Sequence, residues 1–518
     1  MADCKQSSRQ NGDFRRASIE RSTACARQLH SLTAQMGNES SPGRLTKASL
    51  ALLIVILSAG VFLRAWPSAS FKGIGIDEHN YATYVQKGVK YGLSNYGRVI
   101  DEFIASQVQQ AQSLIPATRI GFIWPAILLA SFGKLDPLYA LRLMSHGSAI
   151  LLLIATAILA YRFGGVCQML VVTTLMAVAP LQIFLSQRAL GDAYFAFLTV
   201  LCAWFFLENL HAPRSIGWLV AYGVAFVLLV LTKENAIFVC VALVGTWICL
   251  FGARIGRPSF GLLLVTFIAG ALAVIILASL LGGLGEWITF CRMYAKGFAG
   301  RYAVQFQGGA WYRYLVDFTL LSPCIVALMF GRIFNIDKES RFDFFWALLL
   351  GFSFLAMSTP SYGMSLRYAA YWDLPLRWLA ASQLLQLPGK FPRIKPLFAL
   401  AGLVLILAAV DLFQYWRYFV HAGIYDPVTF KLITLRNYFN NCWLCPVRHG
   451  HSGFARVGTL LTLVNLSAGF GDIPPRQTLT TTGNARWRCT ACLTELFLRG
   501  CALATATSKS EARARGVR

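Results

Sequence analysis

The segment Gly73-Ile-Gly-Ile-Asp77-Glu78-His79-Asn80-Tyr81 sets two adjacent acids behind an apolar, glycine-containing approach. A carboxylate so placed can take the proton from an attacking hydroxyl or amine and stabilise positive charge growing on a sugar carbon. A solvated loop can carry the same dipeptide, and a second pair, Asp101-Glu102, stands a little further along the chain. The turn Ser186-Gln187-Arg188-Ala189-Leu190-Gly191-Asp192 follows Pro180. Asp192 can cap the helix after it, and Arg188 can act as an interfacial anchor. Leu231-Thr232-Lys233-Glu234-Asn235 places a cation and an anion at the join of two apolar runs. Ionisable groups at that depth are costly and usually face a partner or a cavity. Mutual neutralisation of Lys233 and Glu234, or snorkelling, is the structural alternative. Ser365-Leu366-Arg367-Tyr368-Ala-Ala-Tyr371-Trp372-Asp373-Leu-Pro375 sets a guanidinium among aromatics. That pattern suits a bidentate hold on a phosphate, and it equally suits an aromatic belt with an anchoring arginine. Arg301, Tyr302, Arg313 and Tyr314 carry the same ambiguity.

The elements that must position these residues are membrane helices. Of 518 residues, 56% are hydrophobic and only 14% are charged, against about 25% charged in a soluble domain. The charge is missing from long runs such as Ala48 to Leu63 and Leu262 to Leu281. Runs of about 20 apolar residues cross the hydrocarbon core, and only a helix satisfies its own backbone there. The runs predict spans near 48–66, 139–161, 166–185, 193–210, 216–232, 236–252, 260–282, 315–332, 343–358, 368–386 and 397–415, about eleven helices. The piece Ile120 to Phe132 is short, contains Pro125 and reads as interfacial or re-entrant. Leaving it uncounted puts Arg162, Arg214, Arg254, Arg257, Arg332, Lys338, Arg341, Lys390, Arg393 and Lys395 all on the side of the N-terminus. That is the cytoplasmic side by the positive-inside rule. Loops 67–138, 284–314 and 359–367, the turns at 186–192 and 233–235, and the tail after 415 then lie outside. The residues able to do chemistry share that outer face.

A net charge of +24 does not point to nucleic acid. The basic residues sit in tails and short loops, with no basic stripe interleaved with stacking aromatics. Cys202, Cys240 and Cys249 lie inside apolar runs and read as small hydrophobes. No cleavable signal peptide precedes the first span, and Met36 offers a second start site. Residues 1–47 read as a disordered basic cytoplasmic tail. The composition changes again after about 430–440, where Cys442-x-x-Cys445, His449, His451 and Cys489-x-x-Cys492 occur. The two pairs stand too far apart for a zinc ribbon; a disulfide or a misread reading frame is the alternative. Asn465-Leu466-Ser467 fits a glycosylation sequon. The domains expected are 1–47, 48–430 and 431–518.

Together these residues resemble the GT-C superfamily of membrane glycosyltransferases, and within it family 39, which includes protein O-mannosyltransferases and the lipid A aminoarabinose transferase. The likeness runs over residues 48 to 430 and rests on four motifs in order: Asp77-Glu78 with Tyr81; Pro180 to Asp192; Leu231 to Lys233 with Glu234; and Arg367-Tyr368 with Pro375. It implies an all-α polytopic fold with a large first outer loop carrying interfacial helices. It also implies a sugar donor on a polyprenyl phosphate, inverting transfer to a protein, lipid or glycan acceptor, and a site on the outer face of a bacterial plasma membrane. By match, Asp77 is the base, with Glu78 and Asp192 in support. Lys233, Arg367 and Arg188 hold the lipid phosphate, and Glu234, Tyr368 and Tyr81 line the substrate site. The resemblance leaves a divalent metal ion open, since some members use one and others do not; no ligand set is defined here. The His-Pro-Pro-Leu stretch of protein mannosyltransferases is absent, and Ile115-Pro116-Ala117-Thr118-Arg119 stands in its place. The 284–314 loop holds no sugar-binding repeat domain, which argues against the eukaryotic protein-modifying branch.

Two other functions fit a polytopic chain. A transporter or flippase would show paired repeats and charges near the midplane; neither is visible. A polymerase or ligase of surface polysaccharide would rest on Arg and His in outer loops, with a pyrophosphate donor. The Asp-Glu pair favours the transferase.

Overall fold

The computed structural model describes residues 45–66, 74–109, 115–253, 255–298, 307–336, 340–360, 363–388 and 395–424. The basic tail, Gly73, Arg254, Arg301, Tyr302, Lys338, Lys390, Arg393 and all the cysteines and histidines after residue 440 lie outside these. Among the described residues the chain is all helix and turn, with no strand.

Helix α1 (Lys47–Ala65) leads into the stretch 67–136, within the expected first outer loop. There α2 (Ile76–Tyr91), α3 (Gly97–Gln109) and α4 (Ile120–Gly133) follow one another. The bundle continues with α5 (Pro137–Ala177), α6 (Pro180–Ser186), α7 (Asp192–His211), α8 (Ile216–Thr232), α9 (Ala236–Gly252) and α10 (Phe260–Leu280). Then come α11 (Leu284–Phe298), α12 (Arg313–Leu321), α13 (Pro323–Phe334), α14 (Arg341–Ser358), α15 (Asp373–Gln386) and α16 (Pro396–Tyr415), which runs on into a π-helical turn at Trp416–His421. Six of these segments are long and apolar enough to cross a membrane: α1, α5, α7, α10, α14 and α16 with its π turn. The chain is an integral membrane protein.

Burial sorts the spans. The most apolar stretch of α1 is 11% buried while that of α7 is 67% buried, so α7 is central and α1 peripheral. Exposed Leu52, Val55 and Phe62 on α1 are what a helix presents to lipid rather than to water.

Three expected spans are interrupted. The expected spans 139–161 and 166–185 meet at a bend where Gly165 takes φ +74°, and the second is cut after Ala177, with a separate short helix from Pro180. The run 315–332 is two helices, because Ser322 takes a non-helical conformation and Pro323 opens α13. Proline is at home in a first helical turn and breaks an interior one. The run 368–386 opens as a 3-10 turn, Leu366–Trp372, before α15 begins.

Buried polar groups close the loose helix ends. Arg64 is fully buried and donates to the carbonyls of Gly60 (3.0 Å), Ala177 (3.0 Å) and Met176 (2.9 Å). It thereby satisfies carbonyls that the end of α5 leaves open. Arg377 ties its own helix to α5, α16 and the break between α12 and α13: it is paired with Asp373, donates to Asp411 (2.7 Å) and Ser322 (3.2 Å), and its Nε donates to the Leu175 carbonyl (2.9 Å). Gln182 adds bonds to the Ala370 carbonyl (2.7 Å) and Asp373 (2.9 Å). The 3-10 turn that carries Arg367 and Tyr368 is thus anchored from below.

Arg162 bonds Glu208 (3.1 Å) at one end of the bundle, where Phe163, His211 and Phe342 meet and Arg332 pairs with Asp343 (2.7 Å). The turns carrying Arg214 and Arg257 lie at the same end. The basic short loops therefore collect at one end, as the positive-inside reading expects.

Candidate functional site

The opposite end gathers acids of α2 and α7 with cations from the turns at 186–192, 233–235 and 366–372. Asp77 and Glu78 occupy the first turn of α2, where the unpaired helix amides favour negative charge. Their surroundings divide them. Glu78 is fully buried. Its Oε1 accepts from the Ala189 amide (2.8 Å), and its Oε2 accepts from Arg188 Nη2 (2.5 Å) and the Gly75 amide (3.0 Å). It both caps its own helix and fastens α2 to the 186–192 turn. Ser145 fixes that turn from the other side by donating to the Leu190 carbonyl (2.8 Å). Asp77 keeps 27% of its side chain exposed and pairs through Oδ2 with Arg367 Nη2 (2.7 Å).

Asp192 opens α7 and is ion-paired with Lys233, both nearly fully buried. The Lys233 ammonium also sits over the Tyr368 ring, 4.0 Å from its centroid. That desolvated cation–π contact is worth about 2 kcal/mol. Burial pulls Lys233 down to about 8 from its usual value, against the opposing effect of the Asp192 carboxylate.

Glu234, beside Lys233, accepts two-pronged bonds from Arg119 Nε (3.1 Å) and Nη2 (2.8 Å). Arg119 Nη1 donates to the Tyr81 hydroxyl (2.8 Å), and the Tyr81 ring meets Phe122 edge-on at 5.3 Å. Burial first, then the nearby Glu234 carboxylate, raises Tyr294 on α11 well above an ordinary phenol.

Two glycines let α4 carry Arg119 this close. A Cβ on Gly121 would stand 2.6 Å from Thr232 Oγ1 and 2.9 Å from the Leu228 carbonyl oxygen. One on Gly88 would meet Ile127 at 2.2 Å. The helix Ile120–Gly133 is therefore clamped between α2 and the end of α8.

The structure thus brings Asp77, Glu78, Arg188, Asp192, Lys233, Glu234, Arg367, Tyr368 and Tyr81 into one region. Not all of them face an opening. Arg188 and Tyr81, expected at the lipid phosphate and the substrate, are buried against Glu78 and Arg119. Asp77 and Glu234 are the partly open acids of the group. Sequence reasoning missed Arg119 and Tyr294 as members. Arg119 had one signal, an arginine placed directly before a short apolar helix. The pair Asp101-Glu102 lies apart: Asp101 is exposed, and Glu102 is bonded to Lys87 (2.5 Å) and Tyr91 (2.8 Å) at the surface. Those bonds, that from Lys87 first, hold the Glu102 carboxyl below the usual range.

Among the described residues no three His, Cys, Asp or Glu side chains gather as metal ligands, and Asp77 and Asp192 each face a cation. The residues present do not fit a divalent-ion site.

No family model and no curated protein matches the chain. Among solved structures it is similar to ArnT from Cupriavidus metallidurans bound to undecaprenyl phosphate, with a TM-score of 0.47 and 15% identity over 72% of this chain and 75% of that one. It is also similar to the archaeal oligosaccharyltransferase AglB from Archaeoglobus fulgidus in complex with an inhibitory peptide and a dolichol-phosphate, with a TM-score of 0.47 and 14% identity over 71% of this chain. The match spans 55% of the AglB chain. A likeness at this level assigns no residue its role.

Proposed function

We propose that the chain is a GT-C glycosyltransferase that moves a sugar from a polyprenyl-phosphate carrier to a hydroxyl or amine acceptor at the outer face of the membrane. The observation that carries this reading is the unequal treatment of Asp77 and Glu78. One is open with a carboxylate oxygen to spare; its neighbour is committed to holding the site together. In the proposed step the acceptor oxygen or nitrogen forms a bond to the anomeric carbon as the bond from that carbon to the phosphate oxygen breaks. The electron pair leaves with polyprenyl phosphate, and the acceptor proton passes to Asp77 Oδ1. Attack opposite the leaving group gives inversion.

Arg367 spends Nη2 on Asp77, and Lys233 has ammonium protons beyond the one given to Asp192. These two cations, beside each other around Tyr368, suit a phosphate whose lipid tail stays in the bilayer. A membrane-edge position follows from such a donor, since only the head group must reach the acids. Glu78, Arg188, Asp192 and Tyr81 are positioning residues in this scheme, and Arg119 fixes Glu234 at the rim.

The test uses membranes containing the chain and radiolabelled polyprenyl-phosphate sugars, followed by extraction of labelled acceptor. Transfer by the parent chain that falls to background with Lys233→Ala and Arg367→Ala, at matched expression, is the expected result. Transport of the labelled lipid across the bilayer with no transfer to any acceptor would instead favour a flippase.

A further inference from the structure

The end of the bundle opposite the acids carries a cavity of about 540 Å³ between the turns 212–215 and 257–259. Arg214 and Arg257 both line it, and neither has an acidic partner among the described residues. The turns are built rather than loose. The Trp247 indole donates to the Ser259 carbonyl (3.0 Å), and Ser259 Oγ donates to Asn209 Oδ1 (2.7 Å) and accepts from the Leu262 amide (3.2 Å). Pro213 and Pro258 stiffen the two walls. Ser215, at the start of α8, makes no such bond to the first turn of its helix. That helix start has no side-chain cap among the described residues, and a helix N-terminus favours an anion.

Below the cavity, α8 and α10 pack side by side. Each presents an apolar stripe that starts at the cavity rim: Ile216, Val220 and Val224 on α8, and Phe260, Leu264 and Ile268 on α10, each more than half exposed. Two unpaired guanidiniums above paired apolar stripes match one kind of molecule, with a phosphate at one end and acyl chains at the other. We propose that this cavity is a binding site for one anionic phospholipid of the leaflet opposite the candidate active site. Its phosphate is held between Arg214 and Arg257, and its acyl chains lie along α8 and α10. The site does not depend on the transferase reading. It would also fix the depth of α8, whose other end carries Lys233.

The experiment is native mass spectrometry of the full chain with phosphatidylglycerol or phosphatidylcholine titrated in. It compares the parent with the double variant Arg214→Gln, Arg257→Gln and with a control, Arg341→Gln, Lys395→Gln. The control removes the same charge from exposed positions assigned to the same membrane side. The expected result is one phosphatidylglycerol retained by the parent in preference to phosphatidylcholine. The first variant weakens that retention by at least about tenfold, and the control leaves it unchanged. Equal retention of the two lipids, or equal loss in both variants, would overturn the site in favour of general surface attraction. Displacement by glycerol 3-phosphate at the potency of the whole lipid would overturn the acyl contribution and make the ligand a soluble phosphate ester.

Discussion

The stretch between the first two long helices contains the same dipeptide twice, and the two copies are treated in opposite ways. Asp77-Glu78 meets partners far along the chain: Arg367 for the first acid, Arg188 and the Ala189 amide for the second. Asp101-Glu102 meets only its own neighbourhood, Lys87 and Tyr91. What makes a carboxylate available for chemistry is therefore not the dipeptide but the distant chain folded over it. One acid is consumed to fasten that chain, and this leaves the other in a fixed place with an oxygen to spare.

The contrast can be broken or sharpened in order of expected effect. Asp77→Asn removes the proposed base without changing shape, and turnover in the transfer assay should fall by about 10²- to 10⁴-fold, the usual weight of a positioned base. Glu78→Ala removes the carboxylate that Arg188 pairs with at the core of this fastening. A loss of about 3–5 kcal/mol is expected, read as a large drop in thermal stability in detergent. Restoring stability by adding Arg188→Met to it would show that the pair acts as a fastening. Lys233 sets a pH dependence. Its folded value lies below that of a free lysine because of burial, so its charge is lost as pH rises through about 8. The KM for the lipid donor should climb over that interval while kcat changes less, and Lys233→Arg should flatten the climb. At the small end, Asp101→Asn and Glu102→Gln break only an exposed pair. Stability should move by about 0.5 kcal/mol or less, with transfer unaltered within the assay's scatter.

Much of this arrangement could be read from the sequence, and the reason differs by part. Apolar runs such as 260–282 declare themselves because crossing a membrane requires length without charge. The expected split between 161 and 166 coincides with the bend at Gly165, whereas the break at Pro323 comes from a missing amide that hydropathy alone does not register. The motifs holding Asp77, Asp192, Lys233 and Arg367 could be named in order, since each is an ionisable group next to a span. Their pairing could not. Nothing local says that Asp192 meets Lys233 while Glu234 turns to Arg119, a residue 115 positions earlier. The family resemblance puts Arg188 at the phosphate, and its burial on Glu78 is set by a contact across 110 residues. The dipeptide by itself does not separate Asp77-Glu78 from Asp101-Glu102; only the resemblance, through Tyr81, does.

The central claim is that Asp77, and not the other acids of the loop, takes the acceptor proton. The direct measurement is single-turnover transfer from a radiolabelled polyprenyl-phosphate sugar in membranes, comparing Asp77→Asn with Asp101→Asn at equal expression and with donor binding checked separately. The account predicts that Asp77→Asn binds donor but scarcely transfers, while Asp101→Asn matches the parent. Equal rates for the parent and Asp77→Asn would contradict it.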